Sequence, residues 1–239
     1  MGAVKVGLLV CDHVRAEYLG ISGDYDDMFR RLFSDHPKVE VVTYDAIGGQ
    51  LPDHPGEADA WMTTGSRHSV NDDEQWIRDL EGFVRRTAEA GVPFIGICFG
   101  HQLIAKALGG TVVKSDRGWG VGVKEVEVDA GLGWGESYRV LTSHEDQVEA
   151  LPPGAEVLGW NEHCPVSVMG VGSTMLGIQG HPEFESAYSA ALMESRRGTV
   201  IPEQTVDAGM TSLDEGSDGD RLAGWILEFI RSGRRTPTA

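Results

Sequence analysis

The sequence predicts an α/β fold: a central, mostly parallel sheet flanked by helices, with a small antiparallel strand region added in the second half. Two observations carry this expectation. Apolar runs of strand length alternate with amphipathic helical stretches through the first half, the pattern of strands buried on both faces by crossover helices. The second half then brings short strands close together with glycine and proline between them, the spacing of antiparallel pairs. The chain has 239 residues, and lengths of about 200–250 residues are common for one α/β unit, so a single domain over 1–239 is expected.

In order, "VKVGLLV" (4–10) reads as a buried first strand and "DDMFRRLF" as a helix. Strands follow at 39–45 and 58–65. Residues 72–90 form a helix, because Trp76, Ile77, Leu80 and Val84 recur at helical spacing, and "VPFIGI" (92–97) is the next strand. "GTVVKS", "GVKEVEV", "YRVLTS", "AEVLGWN", "PVSVMG" and "TMLGIQG" supply the closely spaced strands, and helical stretches at 184–197 and 219–232 close the chain. Between these helices, "PEQTVDAGMTSLDEGSDGD" holds six acidic residues and no basic one. That segment is expected to be a solvated, mobile loop.

Charge excludes two classes of partner. With 37 acidic against 20 basic residues and a net charge of −17, the chain repels phosphate backbones and anionic lipid, so neither nucleic acid nor a membrane surface is expected. The opening "MGAVKVGLLVCDHV" lacks the charged region, long apolar run and small-residue cleavage site of a secretory signal. No apolar stretch approaches the roughly 18 residues that a membrane span needs. Three cysteines, Cys11, Cys98 and Cys164, are odd in number, far apart and without a CxxC pair, which fits a reducing cytoplasm.

Chemistry enters at "GICFGHQ" (96–102). A strand runs directly into Cys98 and a helix-like stretch leaves it, with Gly96 and Gly100 at the flanks. Glycines there let strand reverse into helix without side-chain collision, the logic of the G-x-S-x-G elbow with sulfur in place of oxygen. A cysteine so placed meets the free N–H groups and positive end of the helix, which favour thiolate, and the Phe99 N–H points toward an oxyanion formed during attack. The same residues also suit a merely buried cysteine in a tight connection, and the presence of a base decides between the two.

"GIQGHPEF" (177–184) supplies one. Residues two apart on an extended segment face the same way, so His181 and Glu183 project together while Pro182 fixes the backbone between them. Imidazole takes the thiol proton and later protonates a departing amine, and a carboxylate on its far nitrogen holds the tautomer. Cys98, His181 and Glu183 thus form a complete nucleophile, base and orienter set.

These motifs, in this order and separation, resemble the class I glutamine amidotransferases, particularly the amidotransferase part of GMP synthetases and the stand-alone γ-glutamyl peptidases. "TGSRHSVNDDEQWI" (64–77) and "SHEDQV" (143–148) look like family segments as well. Departures concentrate in the N-terminal loop and in the acidic stretch before the last helix. The resemblance implies a flavodoxin-like three-layer sandwich, with Cys98 as nucleophile, His181 as base and Glu183 as its orienter. It implies that Gly65 and Phe99 donate backbone N–H groups to the oxyanion, and that Gln102 helps hold the γ-glutamyl substrate. Ser143 and His144 would lie near its α-amino and α-carboxylate groups.

Asp146 reads otherwise as the start of a helical turn. Tyr25 and Asp26 sit after the first strand, where α/β folds open their ligand crevice; Arg67 and His68 are weaker pocket candidates, and His101 is read as structural. His163 and Cys164 are adjacent, which on a strand points them apart, and no other Cys/His pair has zinc-like spacing, so no metal is expected. Neither a P-loop nor a Rossmann fingerprint is present, and no cofactor is expected.

The implied reaction is attack of Cys98 on the γ-carbonyl of glutamine or another γ-glutamyl amide, release of the amine and hydrolysis of a thioester. As a glutaminase, the chain would pass ammonia to a separate synthetase, because no ATP-binding motif follows; as a γ-glutamyl hydrolase it would need no partner. An idle binding or scaffold domain requires the fold without the chemistry, whereas all three residue types are present.

Overall fold

The structure, a computed structural model, describes residues 3–232. Its strands are β1 (Val4–Leu9), β2 (Val39–Tyr44), β3 (Ala60–Thr63), β4 (Phe94–Ile97), β5 (Thr111–Lys114), β6 (Gly120–Val128), β7 (Ser137–His144), β8 (Asp146–Ala150), β9 (Ala155–Trp160), β10 (Val168–Val171) and β11 (Met175–Ile178). Its helices are α1 (Leu19–Ser22), α2 (Tyr25–Leu32), α3 (Gln75–Ala90), α4 (Phe99–Ala107), α5 (Ser186–Arg196), α6 (Glu203–Ser212) and α7 (Gly219–Ser232).

Among the described residues, nine strands form one sheet in the order β2-β1-β3-β4-β11-β10-β9-β6-β7. The first five are parallel and the rest continue antiparallel, so the antiparallel region extends the main sheet. β5 and β8 pair separately. Alternation along the parallel strands feeds two cores. Leu8, Met62, Ile95 and Ile97 pack with Phe29 of α2 and with Leu222, Ile226 and Phe229 of α7. Leu9, Trp61 and Phe94 pack on the opposite face with Ile77, Leu80 and Phe83 of α3 and with Leu103 and Ile104 of α4. Because β1, β3, β4 and β11 run the same way, their carboxyl ends share one edge, where open α/β sheets hold ligands.

Two local expectations are corrected. The acidic segment is not a loop: residues 203–212 form α6, followed by a 3₁₀ turn at Leu213–Glu215. Val206 is buried against Val121 of β6, Met193 of α5 and Ile201, with Met210 and Leu213 packed beside them, while Glu203, Asp207, Asp214 and Glu215 face solvent. A sparse apolar stripe outweighs the segment's net acidity. Asp146 begins a strand rather than a helical turn, because residues 146–150 pair with β5.

The β4–α4 connection is packed to contact. A Cβ on Gly96 would lie 2.2 Å from the Gly100 carbonyl oxygen, and one on Gly100 would lie 1.7 Å from the Thr63 hydroxyl oxygen. That hydroxyl accepts the Ile97 N–H at 3.2 Å. Gly100→Ala is therefore expected to destabilise by about 3 kcal/mol, the upper end of overpacking costs. Gly82→Ala in α3 meets only the flexible Arg86 at 3.5 Å and should stabilise by about 0.5–1 kcal/mol. Urea unfolding of both variants checks this, and equal effects would contradict the packing argument.

His101 of α4 is fully buried with its ring against Gly177 of β11. Burial pushes its pKa from 6.5 down to about 4. A histidine held neutral by folding contributes stability above pH 6.5 that is lost as pH falls from 6.5 through about 4. The loss is on the order of 3 kcal/mol. In His101→Leu the urea midpoint should fall less steeply over that window than in the wild type.

Candidate active site

Cys98 has φ +50° and ψ −97°, and among the described residues it is the only non-glycine with positive φ. Such a conformation costs on the order of 1–3 kcal/mol and persists only where its surroundings enforce it. Here they do: Cys98 N–H donates to the Ile178 carbonyl at 2.8 Å, and its own carbonyl accepts from Gln102 N–H at 3.2 Å. The next residue, Phe99, is buried with its ring stacked on Trp76, centroids 5.4 Å apart. As the first residue of α4, Phe99 has an N–H without a helical acceptor.

Three residues beyond β11, His181 donates its backbone N–H to Leu141 of β7 at 2.8 Å. Its Nδ1 lies 2.8 Å from Glu183 Oε1, the two side chains being 4% and 0% exposed, and the second carboxylate oxygen has no other partner among the described residues. Phe184 lies flat on the imidazole, centroids 3.8 Å apart and planes within 10°. Burial alone would lower the His181 pKa, but the Glu183 carboxylate and the Cys98 sulfur outweigh it and raise the value to about 10. With Nδ1 committed to Glu183, the other ring nitrogen is left for the Cys98 sulfur.

Gly65 approaches both residues, since a Cβ built on it would lie 2.6 Å from His181 Cε1 and 3.6 Å from Cys98 Cβ. Cys98, Phe99, Gln102, Ser143, His144, Tyr25 and His181 line one cavity of about 230 Å³. Glu183 and Gly65 lie outside its lining, the first behind the imidazole; Ser66 to Ser69 line the wall at Gly65's loop.

The expected pocket residues are placed unequally. Gln102 is buried, its Nε2 donating to the Asp146 carbonyl at 2.8 Å and to Gln179 Oε1 at 3.2 Å. Ser143 accepts from Arg196 at 3.1 Å. His144 is buried with its ring edge-on to His163, and burial, reinforced by His163, drives its pKa down to about 3. Tyr25 is buried, its hydroxyl 3.3 Å from that of Tyr188, and burial raises its pKa well above the usual phenol range. Asp26 faces Arg30 at 3.8 Å and lies outside the cavity lining. Arg67 and His68 are in the lining.

Three participants were not singled out from the sequence. Gln179 donates to Cys98 Sγ at 3.6 Å; the two-residue alternation that pairs His181 with Glu183 would have found it. Asp12, buried, receives a forked contact from the Arg67 guanidinium at 2.8 Å and also its backbone N–H at 2.9 Å, tying the loop after β1 to the loop after β3. Arg196, at the end of α5, lines the cavity too, and no sequence motif marks it. Among the described residues, no cluster of His, Cys, Asp and Glu is arranged to hold a metal ion, and no helix is long and apolar enough to cross a membrane.

A strained cysteine at a helix start, beside a buried imidazole that is paired with a carboxylate, can attack a carbonyl and protonate a leaving amine. Known proteins resemble this chain in sequence and in fold. The family described as glutamine amidotransferase class-I matches residues 28–195. A glutamine amidotransferase-like protein of Schizosaccharomyces pombe is 28% identical, over 94% of this chain and 98% of its own length. Gamma-glutamyl peptidase 5 of Arabidopsis thaliana is 26% identical, over 83% of each chain. The crystal structure of a glutamine amidotransferase from Thermotoga maritima superposes with a TM-score of 0.76 at 19% identity, covering 96% of this chain and 99% of the other, a likeness of fold. With the family match extending over most of its length, the chain belongs to the class I glutamine amidotransferases.

Proposed function

We propose that the protein hydrolyses a γ-glutamyl amide through a thioester on Cys98. The observation that carries this reading is the positive-φ Cys98 and His181 lining one cavity, with the buried Glu183 paired to His181 from behind. The Cys98 thiolate attacks the γ-carbonyl, and the oxyanion is received by the N–H groups of Phe99 and Gly65. Collapse expels the amine, which takes its proton from His181, and a γ-glutamyl thioester remains. Water that gives its proton to His181 then attacks the thioester, freeing glutamate and restoring the thiolate–imidazolium pair. Gln102, Ser143, His144 and Tyr25 shape the pocket, and Gln179 steadies the sulfur.

The leaving group separates two versions. With glutamine it is ammonia, which a synthetase would use. The likeness to a protein named gamma-glutamyl peptidase, over 83% of both chains, supports a peptide or amine as leaving group. All three cysteines are unpaired and buried, which suits a reducing cytoplasm.

Cys98→Ala should abolish glutamate release from a panel containing glutamine and γ-glutamyl amides, whereas an unchanged rate would remove the cysteine from the chemistry. Glu183→Gln keeps the shape but removes the charge that holds the imidazolium, and should lower kcat by about a hundredfold or more.

The pH dependence follows from the sign of the His181 shift. Its proton is held up to about pH 10, so kcat/KM should fall as pH rises through that value and the leaving amine loses its proton donor. In Glu183→Gln the alkaline limb should move downward toward the ordinary histidine value of 6.5. A limb that stays in place would show that Glu183 does not hold the proton.

A further inference from the structure

The cavity wall on the histidine's side is α5, which starts three residues after Glu183. From the imidazole it runs through Phe184, stacked on His181, to Tyr188, edge-on to Phe184, and then to Leu192 and Arg196. Tyr188, Leu192 and Arg196 are four residues apart, share one helix face and all line the cavity. The last lies about 12 Å along the axis from the first. A leaving amine must reach His181 for its proton, which puts the start of this wall beside the leaving group.

At its far end, positive charge collects without a counterion. Arg196 donates to the Ser143 hydroxyl at 3.1 Å and lies over the Trp119 ring at 5.4 Å. Arg15, from the loop after β1, lines the same cavity, and its charge opposes that of Arg196. Among the described residues neither guanidinium forms an ion pair, whereas the adjacent Arg197 takes both Glu194 and Asp207. The carboxylates lining the cavity are engaged elsewhere: Asp12 by Arg67, Glu145 by Lys114 and Asp146 by the Ser69 hydroxyl. In a chain with 37 acidic and 20 basic residues, two converging arginines without a carboxylate leave room for an external one. Arg196 is also held in place, because its carbonyl accepts the N–H groups of Thr199, Val200 and Ile201.

We infer that Arg196, assisted by Arg15, binds a carboxylate on the leaving group, so that the favoured substrates are γ-glutamyl amino acids or short γ-glutamyl peptides rather than glutamine. This subsite rests on the hydrolase reading above and names its substrate class. A planar guanidinium suits a carboxylate through paired N–H donors.

The test compares γ-glutamylglycine with γ-glutamylglycinamide, which differ by one charge at the far end. Wild type should favour the carboxylate by about tenfold or more in kcat/KM, as expected for a charge-assisted pair. Arg196→Gln should bring that ratio to within about twofold, mainly through KM, and Arg15→Gln should narrow it less. Calorimetric binding of the two compounds to Cys98→Ala, with and without Arg196→Gln, reads the same preference without turnover. Absence of preference in the wild type, or equal losses on both compounds in Arg196→Gln, would overturn the subsite. Turnover of both compounds at equal rates leaves the hydrolase reading standing and the subsite refuted. Arg196-dependent binding without turnover of either does the reverse.

Discussion

The hydrogen bond from the Cys98 N–H to the Ile178 carbonyl is the constraint on which the site depends. It continues the parallel pairing of β4 with β11, in which Phe94 stands beside Met175 and Ile97 beside Ile178. Because the strands are parallel, both chains leave the sheet at the same edge, and the residue after one strand meets the residues after the other. Gln179 and Cys98, 81 residues apart in sequence, come into contact as a result, and His181 follows two positions later on the same side. Register matters in the strict sense: a slip of one residue would turn Gln179 and His181 away from the sulfur. The β4–β11 contact therefore links a folding requirement to a chemical one.

Electrostatics then acts on what register has assembled. Withdrawing a carboxylate and an imidazole from water is costly unless each supports the other, and Glu183 and His181 do so while Phe184 covers the ring. A cation is thereby kept beside the sulfur in a chain of net charge −17. The Asp12–Arg67 fork makes a comparable tie at the mouth, fastening the loop after β1 to the loop that carries Gly65. Cys98 sits between β4 and α4, and His181 and Glu183 lie in the connection from β11 to α5, so the cores beneath set their positions, the preorganisation that the proposed acyl transfer would need.

What could be read in advance is what local chemistry writes into neighbouring residues. Strand and helix alternation, the glycines around Cys98, and the His-Pro-Glu segment each state a requirement within a few positions. Residues whose partners are remote in sequence were not legible: Asp12 meets Arg67 across 55 residues and Arg196 meets Ser143 across 53, and no local pattern announces either pair. Gln102 illustrates a subtler limit. Its place on the first turn of α4 is clear, whereas the bonds of its amide nitrogen to the Asp146 carbonyl and to Gln179, made while it lines the cavity, are not announced by its neighbours in sequence. The acidic segment reads as a loop by composition, whereas its apolar pattern makes it a helix. Val206, Met210 and Leu213 are few, but they meet a waiting apolar surface, and tertiary contact supplies what propensity does not.

That same segment connects the outer surface to the pocket. α6 does not line the cavity, but Val206 packs with Met193 and Ile201, and Asp207 draws Arg197 outward at 2.6 Å. With Arg197 held on the outside, Arg196 occupies the inner side of the α5 terminus, over Trp119 and against Ser143. The loop after β1 brings Asp12, His13, Arg15 and Tyr18 to the same mouth. The two regions in which the sequence departs from its family resemblance therefore converge on the Arg196 end of the cavity, one as lining and one as buttress. The sheet edge holds the Cys98 sulfur, the His181 imidazole and the Glu183 carboxylate apart from both. On the reaction and subsite proposed above, bond cleavage and substrate choice would rest on different elements, and the outer wall could change without disturbing the geometry at Cys98.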